Sequence, residues 1–170
     1  MKKLNCLLAA IIIFIVQSAV LPFIFNGVSQ PNLIFVFVIL MALHHGQRVG
    51  IVTALLGGFC QDVIIGNFFG VHLLPYLVLA LICSYLGRDI EKDRFMLTLL
   101  IVLGATEANL LLTGGLLALS GQYINILSYV LEFSIPMLIY HAVLTFLIDS
   151  SVWKLRREDR FYGYMGYRYE

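Results

Sequence analysis

Charge is what this sequence has least of. Only 12% of its 170 residues are Asp, Glu, Lys or Arg, against 61% hydrophobic residues and a mean hydropathy of +0.93. A soluble domain carries about a quarter charged residues, because its surface must be solvated by water. The deficit excludes a water-facing fold and turns most of the surface toward lipid tails or other helices. The length suits one compact bundle and leaves no room for a second soluble domain. Cysteine is scarce as well. Cys6, Cys60 and Cys83 all fall in apolar stretches, and their spacing matches no metal or redox signature. A disulfide framework and a structural zinc site are therefore excluded, and the three read as small apolar packing residues. Enzyme signatures are missing too: there is no phosphate-binding glycine loop, no His-Glu-x-x-His and no nucleophile elbow. The sequence points to no enzyme, no cofactor, no metal and no nucleic-acid partner.

What is present is a series of apolar windows. About 20 helical residues cross ~30 Å of hydrocarbon, fewer where neighbours shield the ends. Six windows qualify: Leu4 to about Phe25, Pro31 to about His44, Val49 to Ile65, Val71 to Leu86, Phe95 to Leu119, and about Asn125 to Ile148. The first is too long for the apolar part of a signal peptide, and Ser18-Ala19-Val20 makes a poor cleavage site. It reads as an uncleaved spanning helix. Pro31 suits a first helical turn, where its missing N–H is not needed. The resulting division is a six-helix transmembrane domain over residues 1–150 and a basic, aromatic cytoplasmic tail over residues 151–170. The tail, rich in Tyr, Gly and Arg, reads as a disordered or interfacial strip against the headgroups, with a docking peptide as the alternative.

Charge placement orients these spans. All eleven basic residues fall on one side: Lys2 and Lys3, Arg48, then Arg88, Lys92 and Arg94, then Lys154, Arg156, Arg157, Arg160 and Arg168. The loops Asn26 to Gln30, Gly66 to Gly70 and Ser120 to Tyr123 carry none. Basic residues near short loops stay cytoplasmic, so both ends lie inside. A four-span alternative, with the second and third windows as a re-entrant hairpin, strands Arg48 at membrane depth.

The third window holds the most informative pattern. Gly50, Ala54, Gly58, Asp62, Gly66 and Gly70 recur at intervals of four, and Gly57 widens the small surface. Residues four apart form one ridge on a helix, and small ones let another helix approach backbone to backbone. The ridge reads as close packing, with Asp62 capping or hydrogen-bonding a neighbouring helix end or loop. An ion or proton site and a contact with a partner protein are the alternatives. Gly66 and Gly70 also act as breakers beyond the helix.

Two further carboxylates fall within spans, Glu107 in the fifth and Glu132 in the sixth, four residues before Pro136, which should kink that helix. A charge at the bilayer centre costs about 2.5–3.5 kcal/mol on insertion scales, so both are expected to be buried in the bundle. With His72 and His141 they offer the groups of a proton relay, or plain polar glue. His44 and His45 are adjacent and point apart, a poor metal pair. Asp62 and Asp149 fall toward opposite membrane faces, which disfavours an aspartyl protease dyad.

At Pro31-Asn32-Leu33, Arg48-Val49-Gly50, Gly57 through Asp62, and Gly66 through Val71, the chain resembles the rod shape-determining protein MreD family. The family has a Pro-Asn/Asp pair opening its second helix, a glycine-rich third helix ending in Asp, and a glycine turn after it. This chain departs in having Phe59-Cys60-Gln61 before the Asp, and in its aromatic tail. The resemblance implies a non-enzymatic subunit of the lateral cell-wall elongation machinery in the bacterial cytoplasmic (inner) membrane. It implies work with the bitopic protein MreC and, directly or through it, with MreB filaments and the peptidoglycan synthases RodA and PBP2. It also implies a fold similar to the substrate-binding subunits of ECF-type vitamin transporters. Partner contacts are expected on the second and third helices, at Pro31, Asn32 and the ridge, with homo-oligomerisation left open. The competing reading is a small-solute or vitamin-binding transport subunit, motivated by Glu107 and Glu132.

Overall fold

The structure is a computed structural model that describes the backbone of residues 2–25, 30–65, 69–89, 94–123 and 125–165. Side chains are described for residues 8–25, 30–64, 69–88, 94–123 and 125–153. Gly66 lies outside the described residues. Among those described, the chain is helical and contains no strand.

The first apolar window is one continuous rod made of α1 (Lys2–Ile15), a single π-helical turn (Val16–Val20) and α2 (Leu21–Phe25). Then come α3 (Leu33–His45), α4 (Gln47–Ile65), α5 (Leu73–Leu86) with a 3₁₀ turn at Gly87–Asp89, α6 (Phe95–Leu119) and α7 (Ile126–Met165). Among the described residues, three segments are long and apolar enough to cross a membrane: Leu8–Phe25, Phe95–Leu119 and Ile126–Trp153. Leu33–His45 and Leu73–Leu86 are shorter apolar helices. Two boundaries differ from those expected. α3 starts after Asn32, so Pro31 lies just outside the helix. α7 runs through Pro136 and on to Met165, so the first part of the tail continues the last helix where a separate strip was expected.

α3 is apolar all round, and such a helix is stable only when surrounded. Every residue from Ile34 to His44 is buried. Side-chain pairs fix how its neighbours run. Gly50 and Gly57 of α4 face Ala42 and Val38 of α3, so these helices are antiparallel. Gly50 and Gly58 of α4 also face Ala80 and Leu73, which makes α5 antiparallel to α4. α7 runs alongside α3 in the same sense, with His141 beside Asn32 and Asp149 beside His44. α6 returns antiparallel to α7, as Phe95–Phe146 and Gly114–Tyr129 show. Helix direction thus alternates along the chain, and we refer to the two ends of the bundle as the Asn32 end and the His44 end.

The small-residue ridge is occupied within the chain. A Cβ on Gly50 falls 2.9 Å from Ala42 Cβ, on Gly57 2.7 Å from Val38 Cγ2, and on Gly58 2.5 Å from Leu73 Cα. Ala54 is fully buried. Within the chain, α3 is buried from Ile34 to His44, and the ridge touches α3 and α5. Two other glycines, unremarked in the sequence, matter as much. Gly87 brings the end of α5 against the Leu43 carbonyl, with no room between them for a Cβ. Gly46 alone joins α3 to α4, at φ 81° and ψ −175°, a region open essentially to glycine only.

Gly58→Ala and Gly46→Ala are expected to destabilise the purified protein, the first by about 1–3 kcal/mol through overpacking against backbone. Gly104→Ala, where a Cβ meets nothing within 4 Å, should leave thermal unfolding in detergent unchanged. Equal behaviour of all three would refute the packing assignment.

Candidate functional site

A helix start exposes backbone N–H groups that lack an intrahelical acceptor, and α3 starts inside the bundle. Asn32 caps it, its Oδ1 accepting from Phe35 N at 3.0 Å. Gln17, presented by the π turn, reaches across to accept from Leu33 N at 2.8 Å and to donate to the Pro31 carbonyl at 3.2 Å. The Asn32 N–H donates to His141 Nε2 at 3.3 Å, and its side-chain amide donates to Tyr76 Oη at 2.6 Å. One asparagine therefore connects α3 to α5 and α7, while its flanking residues hold the first rod.

These bonds also assign protons. An N–H donating to His141 Nε2 requires a lone pair there, so the ring proton sits on Nδ1. Nδ1–H then donates to Thr106 Oγ1 at 2.8 Å, and Thr106 donates to the Val102 carbonyl at 2.9 Å. Phe35 stacks on the same imidazole at 5.5 Å and on Tyr76 at 5.2 Å. The chain of bonds begins at a backbone amide and ends at a backbone carbonyl. It holds helices together and offers no terminus to take up or release a proton.

Asp62 performs a second closure. From the last turn of α4 its Oδ2 accepts from Gly70 N at 2.8 Å and Leu73 N at 3.3 Å. Its Oδ1 accepts from His72 N at 2.8 Å and His72 Nδ1 at 3.0 Å. The N-cap residue of α5, His72, makes no side-chain cap bond of its own, so a carboxylate from the neighbouring helix supplies it. Several N–H donors and the positive end of the helix dipole suit a negative group. Gly70, at φ 97°, turns its N–H toward the carboxylate in a conformation that favours glycine.

Between these two clusters, at the Asn32 end, lies a cavity of about 270 Å³. Gln17, Asn32, Gln61, His72, Thr106, Asn109, Thr113 and His141 give it polar walls, and Tyr129, Phe133 and Met137 an apolar one. At the other end His44 Nε2 meets Asp149 Oδ1 at 2.7 Å, both residues buried, with the Trp153 ring 4.6 Å from the imidazole. Asp62 and Asp149 thus belong to separate clusters at opposite ends.

Glu132 is exposed on the bundle surface, which corrects its expected burial. It precedes His141 by nine residues, two and a half turns at ~3.6 residues per turn, so the helix face that buries His141 turns Glu132 outward. Glu107 is half-buried and accepts from the Ser134 hydroxyl, and neither carboxylate lines the cavity. Sequence reasoning missed Gln17, Tyr76 and the α6 stripe Thr98, Thr106, Asn109 and Thr113, all buried. The stripe was detectable as polar residues returning every three, four or seven or eight positions within an apolar run. Cys60 and Cys83 are free thiols, and no group of three metal-ligating side chains occurs among the described residues. The site ties helices together, and at its hydroxyl–imidazole contact His141 Nδ1–H donates to Thr106, so the ring offers that hydroxyl no basic nitrogen.

Compared with known families, residues 1–158 match the family described as rod shape-determining protein MreD. No curated protein and no solved structure matches the chain.

Asp62→Asn, which turns an amide NH₂ toward N–H donors, should lower stability by about 2–4 kcal/mol. Asn32→Ala should cost a similar amount, since the N-cap and the Tyr76 and His141 connections depend on that one residue. Thermal unfolding of the two variants beside Glu132→Gln, expected to be silent, checks the ranking.

Proposed function

The chain belongs to the MreD family of rod shape-determining proteins, and from that membership we propose a non-enzymatic membrane subunit of the bacterial cell-wall elongation complex. It maintains cell shape by docking MreC and, with it, the peptidoglycan synthases RodA and PBP2 and the MreB filament. The family match over residues 1–158 is the observation that carries this reading. Two features support it. Most of the buried polar side chains among the described residues that make hydrogen bonds make them to backbone groups or to each other, as helix-holding contacts. The exposed surface is built of large apolar side chains, as a protein working through helix faces requires.

In this proposal the chain crosses the inner membrane six times with both ends in the cytoplasm. The alternating helix directions support that topology, as does the one-sided placement of all eleven basic residues. α3 and α5, of 13 and 14 residues, are about 20 Å long. They are shorter than the hydrocarbon layer, which is tolerable for helices encased by longer neighbours. The Asn32 end then faces outward, and the likeness to vitamin-transporter subunits remains part of the same proposal.

Since the ridge packs internally, the partner's spanning helix docks on the opposite face of α4, where Val52, Leu55, Leu56, Phe59 and Val63 are exposed. An apolar groove of about 80 Å³ between the first rod, α3 and α4, lined by Phe14, Phe37, Leu56, Gly57 and Cys60, continues that face. The competing solute-transport reading loses its original motive, because Glu107 and Glu132 stand apart from the cavity.

Leu56→Asn with Phe59→Asn should reduce co-purification of MreC at least tenfold and round up rod-shaped cells, while the protein's own melting temperature stays within about 3 °C. Retained MreC and unchanged cell shape would rule out this face. For the topology, green fluorescent protein fused after residue 170 should fluoresce, and alkaline phosphatase inserted at residues 120–123 should be active. The reverse pattern would overturn the orientation.

A further inference from the structure

α6 keeps its polar side chains on one side, with one exception. Thr98, Thr106, Asn109 and Thr113 are buried. On the other side of the helix Leu100, Gly104 and Leu111 are exposed. Glu107 falls among these three at intervals of three and four, the spacing of a single helical stripe. It is half-buried beside α7, where the Ser134 hydroxyl donates to Oε1. Among the described residues Oε2 accepts no hydrogen bond, and no Lys, Arg or His pairs with this carboxylate.

Glu107 is the middle residue of α6 (Phe95–Leu119), about 18 Å from each end of the helix. α6 is long and apolar enough to cross a membrane. In the topology proposed above, on which this inference rests, the carboxylate lies near mid-bilayer, with headgroups about 15 Å away. A carboxylate at that depth is costly unless it meets a counter-charge, so it normally faces protein. One serine supplies one hydrogen and no charge. The surface beside it is open to a neighbour. A Cβ on Gly104, one turn away, or on Gly115, two turns away, meets nothing within 4 Å. The α4 glycines Gly50, Gly57 and Gly58 differ, because α3 and α5 fill the space beside them. At Gly104 another helix can approach the α6 backbone closely and set a side chain against Glu107.

A second copy of the chain cannot supply the missing charge. All eleven Lys and Arg residues fall on the cytoplasmic side of the proposed topology, half a bilayer from Glu107. His44, His45 and His72 sit at helix ends, and His141 is buried inside the bundle.

We propose that the outer face of α6 docks a spanning helix of a different protein, one carrying a Lys or Arg at mid-membrane depth that pairs with Glu107. The cation reaches Oε2 while Ser134 holds Oε1, and Gly104 gives the two backbones room to meet. This face and the α4 face belong to different helices, so either can fail without the other.

The test places the full-length chain, labelled with an acceptor dye at its carboxyl end, in lipid vesicles with donor-labelled spanning peptides. The peptides are Leu/Ala helices of about 23 residues, identical except for a central Arg, Leu or Glu, and energy transfer is titrated against peptide-to-lipid ratio. The Arg peptide should associate at least tenfold more tightly than the other two. Glu107→Gln should erase that preference, and Glu107→Asp, which keeps the charge, should retain it. Gly104→Leu should weaken Arg-peptide binding at least tenfold while its melting temperature stays within about 3 °C of the wild type. Glu132→Gln should change nothing. Three outcomes overturn the proposal: equal association of the Arg and Leu peptides; an Arg preference that survives Glu107→Gln; or self-association of the chain that Glu107→Gln abolishes, which assigns the face to a second copy. The fusion reporters read the topology separately, so a failed peptide series beside an upheld topology strikes this inference alone.

Discussion

The start of α3 is buried, and the rest of the bundle is arranged around that fact. An apolar helix of 13 residues surrounded by others cannot send its first N–H groups to water, and lipid offers no acceptor. Each must find an oxygen or a ring nitrogen from a neighbour. Asn32, Gln17 and His141 supply them, and so the first rod, α5, α6 and α7 are tied to one point. Removing any of these acceptors leaves a donor stranded, which is more damaging than the loss of an apolar contact of the same size.

Asp62 solves the same problem for α5 with a charge. A helix end and a carboxylate that would each be costly alone become favourable together, because the dipole and the N–H donors face the negative group. The glycines of α4 bring the two close enough for this. Gly58 lets α4 approach Leu73 at backbone distance, and Asp62 sits one turn further along the same ridge. Packing and polar closure are therefore one design, with the ridge setting the distance and the carboxylate using it.

Much of this was legible from residue type and spacing. The apolar windows marked the helices to within a few residues at most ends, and intervals of four from Gly50 to Asp62 marked the close-packed face. What could not be read was which surface that face meets. A ridge of small residues looks the same whether it serves its own chain or another, and only the third dimension places Ala42, Ala80 and Leu73 against it. Glu132 misled because a carboxylate in an apolar window suggests burial, whereas its angular distance from His141 on α7 sets it outside. Gln17 and Tyr76 gave weak signals, since one polar atom at the tip of a side chain hardly alters an apolar pattern. The cavity was invisible for a different reason: its walls come from helices far apart in sequence.

The single-residue link at Gly46 bears on how this chain is made. α3 is strongly apolar, while α4 carries Gln47, Arg48, Gln61 and Asp62 and is a reluctant passenger into lipid by itself. With only one residue between them, neither helix can complete its passage and wait for the other. In the six-span topology proposed above they enter the bilayer as a hairpin, in which the partitioning energy of α3 draws α4 across, and Asp62 meets its donors only once α5 follows. Biogenesis of the bundle is thereby ordered by a glycine whose own side touches nothing.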